Sequence, residues 1–81
     1  MNLQQLRYVH EVARRNLNVS DAAEALFTSQ PGVSKQIRLL ETELGIEIFT
    51  RHGKRLVAVT EPGRAVLAIA ERVLRDLDNL Q

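Results

Sequence analysis

Between Asn18 and Gly45 the sequence describes two helices parted by only three residues, and that spacing limits the fold more than any other feature of the chain. Asn18 is a good N-cap, and Asp21 three residues on supplies the acidic half of a capping box, so a helix of about two turns starts there and carries Ala22, Ala23, Ala25 and Leu26. Phe27, Thr28 and Ser29 break it. Thr28 or Ser29 then caps a further helix that tolerates Pro31 in its first turn, where a missing amide proton costs nothing. Its end is marked by Gly45, suited to the left-handed C-cap geometry, with Ile46 placed to fold back on Leu40. That helix is predicted over residues 30–44. Before these two helices, Leu3, Leu6, Val9, Val12 and Ala13, at spacings of three and four, make an amphipathic helix ending near Asn16.

Beyond Gly45 the period changes. Ile48-Phe49 and Leu56-Val57-Ala58-Val59 read as short strands flanking Arg51-His52-Gly53-Lys54-Arg55, whose glycine permits a tight hairpin. Thr60 caps a last helix with Glu61 and Pro62 in its first turn; 21 residues to the end would make a rod of about 31 Å. The expected architecture is mainly α: a winged helix-turn-helix over residues 1–60, with a three-helix core and a β-hairpin wing, and a linker or dimerisation helix over 61–81. A chain of 81 residues supports one small core, and 44 % hydrophobic with 26 % charged residues is a folded composition. Without cysteine there are no disulfides, so packing or a partner chain must hold it, and a reducing cytoplasmic setting is expected. No apolar run is long enough to suggest a membrane span, and the first residues lack a signal-peptide pattern.

The net charge of +1 says little about partners, but its distribution says more. From Ile48 to Thr60 there are Arg51, Lys54, Arg55 and His52 and no acid. On the third helix Val33, Ile37, Leu40 and Leu44 form the inward face. Gln30, Ser34 and Arg38 lie one turn apart on another stripe, with Pro31 and Lys35 beside it, while Glu41 and Glu43 sit toward the C-terminal half. Amide, hydroxyl and cationic side chains are those that meet base edges and phosphates, and in this motif the second helix offers its N-terminal half to the major groove. Such a stripe is usually the solvated face of a bundle helix. The short preceding helix and the basic hairpin shift the reading here to double-stranded DNA.

Leu6-Arg7-Tyr8, Ala22-Ala23, Ser29-Gln30-Pro31-Gly32-Val33-Ser34-Lys35-Gln36-Ile37-Arg38, Leu40-Glu41-Glu43-Leu44-Gly45, Phe49-Arg51 and Thr60-Pro62-Gly63 together resemble the N-terminal domain of LysR-type regulators, across the whole chain. Thr28-Ser29-Gln30-Pro31-Gly32 and Asn16-Leu17-Asn18-Val19-Ser20 are most similar to the CysB subgroup, which controls sulfur assimilation. The resemblance implies groove contacts by Gln30, Pro31, Ser34 and Lys35, with Arg38 toward the backbone and Lys54 or Arg55 as the wing-tip basic residue; Thr28 and Ser29 are also expected among the DNA contacts, and the acid-free run with Arg51, Lys54 and Arg55 is expected to meet phosphate or the minor groove. Lys35 stands where many members have Arg, and the hairpin is one residue longer than in many. In the last helix Val66, Ala70, Val73, Leu77 and Leu80 repeat at four, three, four and three, an a/d pattern. Similarity to the family's linker helix makes this an antiparallel seam of a homodimer, with a tetramer for the longer protein, and the target an interrupted inverted repeat. A small-molecule effector would act only through a domain beyond Gln81.

Other classes fit less well. Catalysis lacks a nucleophilic cysteine or a phosphate loop, since Gly53-Lys54 has neither the upstream glycine nor the following Ser or Thr. His10 and His52 stand without partners at metal spacing, so no cofactor or metal is expected. A winged helix used only for protein dimerisation predicts a neutral wing, which this one is not. RNA binding wants exposed aromatic platforms, and Tyr8, Phe27 and Phe49 all read as core.

Overall fold

Asn2 begins the first helix by a capping box that the apolar period does not reveal. Its side-chain oxygen accepts from the Gln5 amide at 2.8 Å while Gln5 Oε1 accepts from the Asn2 amide at 3.1 Å. In the computed structural model, which describes residues 1–80, the order is α1 (Leu3–Arg14), α2 (Val19–Ala25), α3 (Gln30–Leu44), β1 (Phe49–His52), β2 (Arg55–Val59) and α4 (Glu61–Asp78). Gln81, the last residue of the predicted terminal helix, lies outside the described residues.

The three helix ends before the wing close in one way. After α1, Leu17 N–H donates to Val12 O and Asn16 N–H to Ala13 O; after α2, Thr28 donates to Ala23 O and Phe27 to Glu24 O; after α3, Ile46 donates to Glu41 O and Gly45 to Thr42 O. Each is a Schellman closure, and the residues in the left-handed position are Asn16 (φ 56°), Phe27 (φ 56°) and Gly45 (φ 69°). Only the glycine announces itself in sequence. Leu17 is also left-handed, at φ 65°, with its side chain packed on the core. Phe27 corrects an expectation: it reads as core by hydrophobicity but is 97 % exposed, because the left-handed turn aims its side chain outward.

Val9 and Val12 of α1, Ala22 and Ala23 of α2, and Val33, Ile37 and Leu40 of α3 make the core, with Ile48, Phe49 and Leu56 closing it from the wing side. Tyr8 is half-buried against it. The wing is an antiparallel pair, Phe49 opposite Val59 and His52 opposite Arg55, with a bulge that leaves Val57 unpaired. The expected five-residue basic turn is therefore shorter. Arg51 and His52 belong to β1 and Arg55 to β2, and Gly53 (φ 64°) with Lys54 makes the reversal. A strap joins wing to last helix: Thr60 N–H donates to Ile48 O at 2.9 Å, its hydroxyl reaches the Glu47 and Ile48 carbonyls, and its oxygen caps Gly63 N–H at 2.9 Å. α4 then lies along α1, burying Gly63, Val66, Ala70 and Leu74.

Candidate nucleic-acid interface

The face of α3 opposite Val33, Ile37 and Leu40 is set by the capping of its first turn. Ser29 Oγ accepts the Gly32 amide at 3.1 Å and Pro31 sits in the first turn, so the helix starts at Gln30 and turns Gln30, Pro31, Ser34, Lys35 and Arg38 outward. Thr28 and Ser29 are exposed at the same end. The Ser29 hydroxyl proton stays free to donate while its oxygen serves as cap.

The wing folds back over this end of α3. Lys54, at its tip, lines a cleft of about 450 Å³ with Val19, Gln30, Pro31 and Ser34. A more enclosed hollow of about 260 Å³ is walled by Ser34, Ile37, Arg38, Arg51, Lys54 and Leu56, again with Val19. No acid lines either space, so amide, hydroxyl and cationic groups converge on one concave surface whose field favours an anion. Arg55 is exposed on the far strand and lines neither.

Three features lay beyond the reading of the residues alone. Val19, the first helical residue of α2, shapes both hollows; only its position just after a cap hinted at that. Arg51 is not a free wing cation: its guanidinium meets Glu41 at 2.9 Å and 3.4 Å and leaves its side chain 17 % exposed. Glu41, one of the two acids toward the C-terminal half of α3, is buried. The period-4 spacing Ile37 to Glu41 put it on the inner face.

The predicted dimer seam divides. Val66 is 9 % exposed and Ala70 fully buried within their own chain, where α4 packs on α1. Val73 and Leu77 are half-buried, and Leu80, just past the helix end, is exposed. Ile69, outside the predicted seam, is 41 % exposed. Ile69, Val73, Leu77 and Leu80, at spacings of four, four and three, are an apolar stripe of α4 that is open at Ile69 and Leu80 and half-covered at Val73 and Leu77.

Among the described residues no helix is long and apolar enough to cross a membrane, and no group of His, Asp and Glu is arranged to hold a metal.

Residues 3–64 match the family described as "Bacterial regulatory helix-turn-helix protein, lysR family". Over all 81 residues the chain is 59 % identical to the HTH-type transcriptional regulator CysB of Burkholderia cenocepacia and 57 % identical to the HTH-type transcriptional regulator cbl of Escherichia coli. It spans 26 % of the length of each. Among solved structures, the "BenM_DBD/benA site 1 DNA Complex" superposes with a TM-score of 0.88 at 32 % identity, covering 99 % of this chain and 88 % of that one.

Proposed function

Because the chain belongs to the lysR family of bacterial regulatory helix-turn-helix proteins, we propose that it is the DNA-reading part of a transcription regulator, not an enzyme, and that it reads sequence through α3 while its wing grips the backbone. One observation carries the reading. The polar N-terminal half of α3 and the wing-tip cation Lys54 wall the same acid-free cleft, so one duplex lying there meets base-reading and phosphate-neutralising groups together. In that pose Gln30, Pro31, Ser34 and Lys35 face base edges, and Thr28, Ser29 and Arg38 flank the strands. Lys54 is the wing residue aimed at the groove, Arg55 meets phosphate farther out, and Arg51 supports the wing from within. Likeness to a CysB and a cbl regulator over the whole chain supports control of sulfur-metabolism genes in the cytoplasm.

The chain acts as a homodimer, its residues 61–81 pairing through Ile69, Val73, Leu77 and Leu80, on an interrupted inverted repeat. A longer protein would add the effector-binding part and further assembly to a tetramer, since the chain spans only a quarter of its relatives. The test is a pair of variants on cognate and random duplexes. Ser34→Ala should cost about 1 to 3 kcal/mol on the cognate site and little on random DNA, whereas Lys54→Ala weakens both to a similar extent. Equal losses for Ser34→Ala on both duplexes would remove α3 from base reading.

A further inference from the structure

Glu41 makes an unusual set of bonds for a residue with no expected part in binding. Its Oε2 accepts the Ile48 amide at 2.7 Å and the Phe49 amide at 3.3 Å, where β1 begins, and its two oxygens take both terminal nitrogens of Arg51, at 3.4 Å and 2.9 Å. Its own backbone carbonyl accepts Ile46 N–H at 3.1 Å at the end of α3. One residue thus ties the C-terminal turn of the recognition helix to the first strand of the wing. The Glu41 side chain is only 8 % exposed.

The wing needs such a tie. A two-stranded hairpin is marginal alone, and only Phe49 and Leu56 of its strands are buried in the core. Beyond Leu56 the tip is His52, Gly53, Lys54 and Arg55, all exposed, with no apolar anchor of its own. A buried ion pair is a weak source of stability beside well-packed apolar groups, but its directional bonds fix one geometry and exclude neighbouring ones. Loosening the pair would leave the core in place and free the hairpin to rock about its base.

We propose that Glu41 is a positioning residue for DNA binding, acting through Arg51 and the Ile48 and Phe49 amides to hold Lys54 against the groove-facing end of α3. The proposal rests on the DNA reading above. Glu41 touches no DNA; it fixes the angle between the two parts that do.

The test is a double-mutant cycle on the 81-residue chain, with anisotropy binding to a duplex selected by the native protein. Glu41→Gln should weaken binding about fivefold in the native background and by less than about twofold once Lys54→Ala is present, since the clamp then has no cation to position. Without DNA, amide relaxation should show Gly53 and Lys54 gaining motion in Glu41→Gln while α3 stays as rigid as before. Equal losses in the two backgrounds, or an unchanged wing, would overturn the proposal and leave Glu41 a purely structural group. Arg51→Lys, which keeps the charge and loses the two-pronged bond, should show the same coupling to Lys54 if Glu41→Gln proves too unstable to measure. Loss of binding by Lys54→Ala with none by either clamp variant refutes the clamp alone, and a native chain that binds no duplex refutes the DNA reading itself.

Discussion

Replacing Gly63 by alanine should destabilise the chain by about 2 kcal/mol, although in an ordinary helical position the same change would gain about 1 kcal/mol. Gly63 lies in the first turn of α4, where its amide is capped by Thr60. A methyl group there would overlap the Ile48 carbonyl oxygen and stand 2.9 Å from both the Ile48 carbonyl carbon and Thr60 Oγ1. That carbonyl is not free to move, since it accepts both the amide and the hydroxyl of Thr60. Overpacking costs about 1 to 3 kcal/mol and a displaced hydrogen bond about 1 kcal/mol, against the propensity gain of about 1 kcal/mol. For a domain of this size that net loss lowers the melting temperature by about 8 to 16 °C. Gly32→Ala is the internal control. Its added methyl meets only the hydroxyl oxygens of Ser29 and Thr28, both at 3.1 Å; easing the Ser29 contact weakens the cap on the Gly32 amide and offsets the helix-propensity gain, so the net effect should fall within about 0.5 kcal/mol of zero. Thermal and urea unfolding followed by circular dichroism would measure both. A Gly63→Ala chain as stable as Gly32→Ala would refute the close approach of α4 to the strap.

Phe27→Gly should stabilise the chain by about 0.5 to 1 kcal/mol in the same assay, because the left-handed strain is relieved and an almost wholly exposed ring takes no burial with it. Ile69→Asp with Leu77→Asp should give monomers in sedimentation equilibrium where the native chain sediments as a dimer; an intact dimer would place the seam off this apolar stripe of α4. Glu11 gives a pH dependence. Burial raises its carboxyl, but the hydrogen bond and charge of Arg15, at 2.6 Å, and the charge of Arg14 outweigh this and hold it below the ordinary carboxylate value. With its folded-state value depressed, Glu11 adds stability that is fully present above the unfolded value and lost as the pH falls through the folded one. Glu11→Gln should therefore narrow its stability deficit to the native chain on acidification through that acid range, and a gap that does not change with pH would contradict the assignment.

Much of this fold is legible in the residues because its signals are local. The caps at Asn18, Ser29 and Thr60, the glycine at the end of α3 and the inner stripe Val33, Ile37 and Leu40 each state their own element. What escaped is set by contacts distant in the chain or by rare backbone geometry. Phe27 is apolar and so reads as buried, yet its φ of 56° decides the matter, and nothing local to a phenylalanine announces a position usually given to glycine. The pairing of Glu41 is not written in its own turn of helix, because its partners lie seven to ten residues on, across the turn into β1. The a/d repeat of α4 is real, but a repeat cannot say how much of its first half the chain itself covers, and Val66 and Ala70 are already buried within the chain. The clustered basic residues of the wing likewise separate by role only in three dimensions, Arg51 turned to Glu41 and Lys54 to α3.

The central claim, that α3 and the wing form one sequence-reading DNA surface, is tested most directly by anisotropy binding of the chain to random duplexes over a salt series, followed by sequencing of the tightest fraction. The account predicts a linear fall of log affinity with log salt and enrichment of an interrupted inverted repeat in the bound pool. Absence of binding at low salt, or binding without any enriched sequence even from a longer chain that holds its dimer, would contradict it.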